Sequence, residues 1–101
     1  MAIKKADKFT AEATDLLTGS RQKQNGDKIR NHQNIGRLWE AYLKSRDLMP
    51  LTSTLLASDV SRLMVLLKVA RSVYGNYNED DYVDMIGYAA ISGEITQSEN
   101  E

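Results

Sequence analysis

Two groups of charged side chains have residue types and spacings suited to chemistry. The first is Asp81, Asp84 and Tyr88, at i, i+3 and i+7 along one helical face, with Glu79 and Asp80 just before them. Carboxylate oxygens suit a hard cation such as Mg²⁺. In a helical hairpin turning at residues 75–78, Asp81 and Asp84 come opposite Arg71 and Lys68. Two readings follow: a pair of inter-helix salt bridges, or an acidic Mg²⁺ site that leaves Lys68 and Arg71 to meet a phosphate. The second group lies in the stretch Gly19 to Gln33, where Arg21, Lys23, Lys28, Arg30 and His32 face only one acid, Asp27. With the main-chain N–H groups around Gly26, these side chains suit an anion. Their spacing reproduces neither a Walker A loop nor a dinucleotide fingerprint. Tyr74 and Tyr77 flank the hairpin turn, where a nucleobase can stack.

Other chemistries find little support. His32 is the sole histidine and there is no cysteine, so neither a thiolate nucleophile nor a zinc site of the usual kind is available. No serine sits in a nucleophile elbow.

The elements that must position these groups read as helices. Thr10 is an N-cap for a short helix, Ala11 to Leu17, with Gly19 as its stop. Asn31 or Asn34 caps a second helix, His32 to Lys44, whose apolar stripe is Ile35, Leu38, Trp39, Tyr42 and Leu43. Trp39 and Tyr42 are expected to supply much of the buried aromatic area. A third helix, Asp59 to Tyr74, starts near Ser58 and is apolar over well over half of its circumference. That pattern fits a helix central to a core or shared with a second subunit. Gly75 closes it, and Asn78 caps a last helix whose first turn holds Glu79, Asp80 and Asp81. The expected fold is all-α: a compact four-helix domain with a C-terminal antiparallel hairpin and one short N-terminal helix. Residues 1–9 are expected as a flexible arm, 10–95 as the domain and 96–101 as a disordered tail.

The 101 residues suffice for one core. A net charge of -1 offers no electrostatic basis for nucleic-acid binding. No apolar run approaches the ~20 residues that span a bilayer, and the lysine-bearing start MAIKKADKF has no apolar signal region. A cytoplasmic protein is expected.

A combination of residues across the chain carries a resemblance. Arg21, Gly26-Asp27, Asn34-Ile35, Leu38-Trp39 and Tyr42-Leu43 are followed by Asp59-Val60, Met64, Leu67-Lys68 and Ala70-Arg71, then by Asp81, Asp84 and Gly87-Tyr88-Ala89. Over about residues 12 to 94 this resembles a family of small helical proteins of tailed phages and prophages that has no assigned activity. The resemblance implies a phage or prophage origin and a compact helical domain. More distantly, Asp81-x-x-Asp84 is similar to the E-x-x-D pattern of the second metal-binding helix in MazG-type all-α nucleoside triphosphate pyrophosphohydrolases. Their other metal-binding helix carries an E-E-x-x-E cluster, for which this chain offers only the scattered Glu12, Asp15 and Glu40.

Two functions follow as expectations. One is a non-enzymatic phage accessory protein, forming homo-oligomers and needing no cofactor. It binds a host or phage protein, or a small phosphorylated ligand, through the basic loop, Lys68, Arg71 and the turn tyrosines, and inhibition of a host defence or enzyme is a role typical of such proteins. The alternative is Mg²⁺-dependent nucleotide hydrolysis with Asp81 and Asp84 as metal ligands.

Overall fold

The computed structural model describes residues 2–19 and 27–101. Four helices and no strand occur among them: α1 (Ala6–Thr18), α2 (Lys28–Ser45), α3 (Ala57–Val73) and α4 (Glu79–Glu99). The all-α expectation holds. The α3–α4 hairpin forms the most extensive packing, with α1 laid on α4 and α2 on α3.

The first helix begins earlier than expected. Residues 6–9, assigned above to an arm, are its first turns, and the Thr10 hydroxyl donates back to the Asp7 carbonyl at 2.8 Å instead of capping. No side chain caps the helix at Lys5. Tertiary contacts hold the start in place: Lys4 pairs with Glu12 of α1 and with Glu79 of α4, and its ammonium lies 4.6 Å from the Phe9 ring centre. Phe9 meets Tyr82 edge to face at 6.2 Å. A helix this short depends on such docking.

The second helix also begins earlier, because Asp27 caps it in place of Asn31 or Asn34. Its Oδ1 accepts from the N–H groups of Ile29 and Arg30 at 2.9 and 3.2 Å. Its buried residues are His32 and Gly36. A Cβ at Gly36 would stand 3.2 Å from the Leu55 carbonyl oxygen and 3.3 Å from Val60 Cγ2, so glycine sets the close approach of α2 to the start of α3. The expected burial of the whole α2 stripe needs correction. Leu38 and Tyr42 are exposed and Ile35, Trp39 and Leu43 are half-buried, since α2 packs chiefly against one neighbour. Arg46 lies over the exposed Tyr42 ring and donates to its hydroxyl at 3.1 Å.

From residues 46 to 56 the chain returns to the hairpin, held by Glu40, whose carboxylate accepts from the Leu55 N–H at 2.7 Å and from Lys44 at 3.0 Å. Helix α3 starts at Ala57, with Asp59 accepting from the Leu56 N–H at 2.9 Å. Gly75 takes φ +85° just beyond its end, the left-handed conformation that glycine adopts without strain. Asn78 then caps α4 by accepting from the Asp80 N–H at 3.0 Å.

The third helix is turned inside out. Its buried residues are the small Ala57, Ser58, Val60 and Ser61, while Leu63, Leu66, Leu67, Val69 and Val73 are exposed. A polar seam replaces the expected apolar packing on its inner face. Ser61 receives a hydrogen bond from Ser92 at 2.6 Å, and Ser58 donates to Glu99 through both its hydroxyl and its N–H. Residues 96–99, expected in a disordered tail, are the last turn of α4, tied down by Glu99 and by Arg62 donating to Thr96 at 3.1 Å. The few large apolar side chains that are well covered include Val60, Val83 and Ile95.

Candidate functional site

The hairpin register places Asp81 and Asp84 as their spacing suggests. Lys68 Nζ lies 2.9 Å from Asp84 Oδ2, and Arg71 Nε lies 3.8 Å from Asp81 Oδ1. The two pairs differ. Lys68 and Asp84 are both largely covered, whereas a nearly buried Asp81 faces a mostly exposed Arg71. Among the described residues, no group of three His, Asp or Glu side chains is spaced to hold a metal ion.

Lys68 and Asp84 lead into a cavity of about 500 Å³ where α1, α2, α3 and α4 meet. That is within the range of small-molecule sites. Its polar wall is Lys28, Asn31, His32 and Asn34 from α2, with Lys68, Asp84 and Tyr88 from the hairpin. Leu16 and Leu17 of α1, Ile35 of α2 and Val83, Gly87 and Ile91 of α4 form the rest. His32 is buried, and its Nδ1 donates to the Lys28 carbonyl at 2.7 Å, the α2 backbone four residues back. A carbonyl oxygen only accepts, so Nδ1 carries the hydrogen of that bond. The His32 and Tyr88 rings meet edge to face at 6.4 Å. Both cavity lysines are paired, Lys28 with Glu94 at 3.2 Å and Lys68 with Asp84. A ligand anion therefore meets charge already held in place by carboxylates.

The expected binding residues divide among several places. Lys28, His32 and Lys68 share the cavity. Arg71 and Tyr74 line a separate, more open recess with Asn76, Asn78 and Asp81. Tyr77 stacks on Tyr82 at 5.8 Å, so its ring has an intramolecular partner. Arg30 is exposed outside these recesses, and Arg21 and Lys23 lie outside the described residues. Asn34, Tyr88 and the α1 leucines were not expected as binding residues. A signal for the α2 wall does exist: with Asp27 as the cap, Lys28, Asn31, His32 and Ile35 fall at i, i+3, i+4 and i+7, one helical face running through what reads as a polar loop.

A second recess, about 320 Å³, shares Leu16, Val83 and Asp84 with the cavity and is further lined by Glu12, Asp15 and Asp80. Lys4 balances part of this charge, and its own pKa is raised, first by its hydrogen bond to Glu12 and then by that to Glu79.

Comparison with known proteins gives a family. Residues 8–96 match the family model described as Domain of unknown function (DUF6378). The chain is 34% identical over 89 residues to the Gene 55 protein of Mycobacterium phage L5, covering 88% of this chain and 53% of that protein. It is 32% identical over 84 residues to the Gene 55 protein of Mycobacterium phage D29, covering 83% of this chain and 50% of that protein. The chain thus spans about half the length of the curated relatives it matches. No solved structure matches. No helix among the described residues is long and apolar enough to cross a membrane.

Proposed function

The chain belongs to the DUF6378 family and is similar to two mycobacteriophage proteins, and we propose that it is a phage accessory protein that binds a small phosphorylated, nucleotide-like ligand. The observation that carries this reading is the cavity that brings Lys28, Lys68 and the buried His32 together over an apolar wall. The two ammonium groups suit phosphate oxygens, the imidazole of His32 and the amides of α2 suit polar ring edges, and the leucines with Tyr88 suit a planar base. In a phage such a protein would sequester or sense a host signal, or present the ligand to a protein partner.

Thermal unfolding of the protein with inorganic phosphate, nucleoside mono- and triphosphates and cyclic nucleotides, each with and without Mg²⁺, tests this. A ligand at 100 times its Kd adds about 2.7 kcal/mol, which raises Tm by about 10 °C or more for a domain of this size. Lys68→Ala is expected to remove the shift. If no phosphorylated ligand raises Tm, the proposal fails and a protein partner is favoured.

Mg²⁺-dependent hydrolysis draws on one observation, the carboxylates of Glu12, Asp15, Asp80 and Asp84 around one recess. Against it stand the cationic partners of Asp81 and Asp84. A shift seen only with Mg²⁺, together with release of pyrophosphate, would favour the hydrolase.

A further inference from the structure

We propose that the outer face of α3 is the contact surface for a second copy of this chain. Leu63, Leu66, Ala70 and Val73 follow one another at intervals of three, four and three residues, the spacing of a coiled-coil seam. Leu67 and Tyr74 widen the stripe along one side. These side chains point to solvent, with Leu66 61% and Val73 69% exposed, while Ser58 and Ser61 of the same helix are buried. Water would favour the opposite arrangement, and burying the stripe on a partner removes the conflict.

The surface area fits a permanent partner, and the symmetry of the stripe fits another copy. A monomer of 11.4 kDa is expected to expose about 5,800 Å², whereas this chain exposes 7418 Å², roughly 1,600 Å² more. The radius of gyration, 15.5 Å, likewise exceeds the about 13 Å usual for a domain of this length. An excess of that size over the whole chain leaves room for an obligate interface; transient encounters bury far less. One apolar stripe on a single helix is also self-complementary about a twofold axis, as an isologous dimer requires.

Sedimentation equilibrium of the full chain at micromolar concentration tests this, with a mass near twice 11.4 kDa expected. Leu66→Glu is expected to give a monomer or, if the fold depends on the interface, an unfolded chain. Cross-linking decides the second case. The chain has no cysteine, so single variants Leu63→Cys, Leu66→Cys, Ala70→Cys and Val73→Cys can be treated with a short bismaleimide, with Lys8→Cys on α1 as control. Near-complete dimer at one or more stripe positions and none at position 8 is expected. The proposal is overturned by a monomeric mass at 100 times the working concentration, by an oligomer whose mass a folded Leu66→Glu leaves unchanged, or by stripe cysteines that cross-link no better than position 8.

Discussion

Glu99 provides the sharpest test of how the hairpin is closed. Its carboxylate, on the last turn of α4, accepts from the hydroxyl and the N–H of Ser58 in the first turn of α3, 41 residues earlier in the chain. The Ser58 N–H is one of the donors that a helix leaves without an intrahelical partner. A negative charge there also meets the positive end of the α3 dipole. Glu99→Ala removes both acceptors and leaves that donor to compete for water beside a covered serine. Losing a cap costs about 0.5 to 2 kcal/mol, and the charged group adds its dipole interaction of about 0.3 to 1 kcal/mol. Because Glu99 is itself solvent-exposed, an expected loss of about 1.5 kcal/mol is reasonable, a fall in Tm of roughly 6 to 12 °C. Thermal and urea unfolding followed by circular dichroism, at one fixed protein concentration, measure it. Glu101→Ala, two residues beyond, is the control and should change nothing. A double-mutant cycle with Ser58→Ala should recover most of the loss as coupling between the two sites. If Glu99→Ala lies within 0.5 kcal/mol of Glu101→Ala, or if the cycle shows no coupling, the carboxylate does not cap α3 and this reasoning is wrong.

Two further outcomes are expected. Glu40 has its pKa held below the usual carboxylate value, first by the Leu55 N–H and then by Lys44. Its contribution is therefore complete above the unfolded-state value near pH 4.3 and is lost as pH falls through the lower folded value. In urea titrations the stability gap between the wild type and Glu40→Gln should shrink from pH 6 to pH 3, and a gap independent of pH would refute the assignment. Ile95 has no exposed surface, so Ile95→Ala should cost about 2 to 5 kcal/mol in urea unfolding, whereas Ile3→Ala at an exposed position should cost almost nothing.

What was legible in the sequence was local. The Asn78 cap, the glycine at 75 and the opposition of Lys68 and Arg71 to Asp84 and Asp81 all follow from helix spacing around one short turn, and all appear. The errors come from partners distant in the chain. Nothing near Ala6 marks a helix start, because Lys4 is held partly by Glu79, 75 residues on. Nothing near Thr96 marks order, because Glu99 is anchored by Ser58. The cavity combines four helices, so only its most conspicuous cations could be named beforehand. The apolar content of α3 was visible, but not which of its sides faced inward. Side chains of both kinds lie all round the helix, and serines bonded across to α4 take the positions that leucines would ordinarily occupy.

That serine-bearing seam has a consequence for how uniquely the hairpin is specified. Apolar helix faces tolerate sliding, since one leucine replaces another at similar cost. Here Glu99 on Ser58, Ser92 on Ser61, Asp84 on Lys68 and Asp81 on Arg71 are spaced along the full length of both helices. A slip of one turn, about 5.4 Å, would undo every one of them at once and leave covered polar groups unmatched. The seam acts as a toothed edge: it adds little adhesion, but it admits a single alignment, and with it a single placement of Lys68 and Tyr88 in the wall of the cavity.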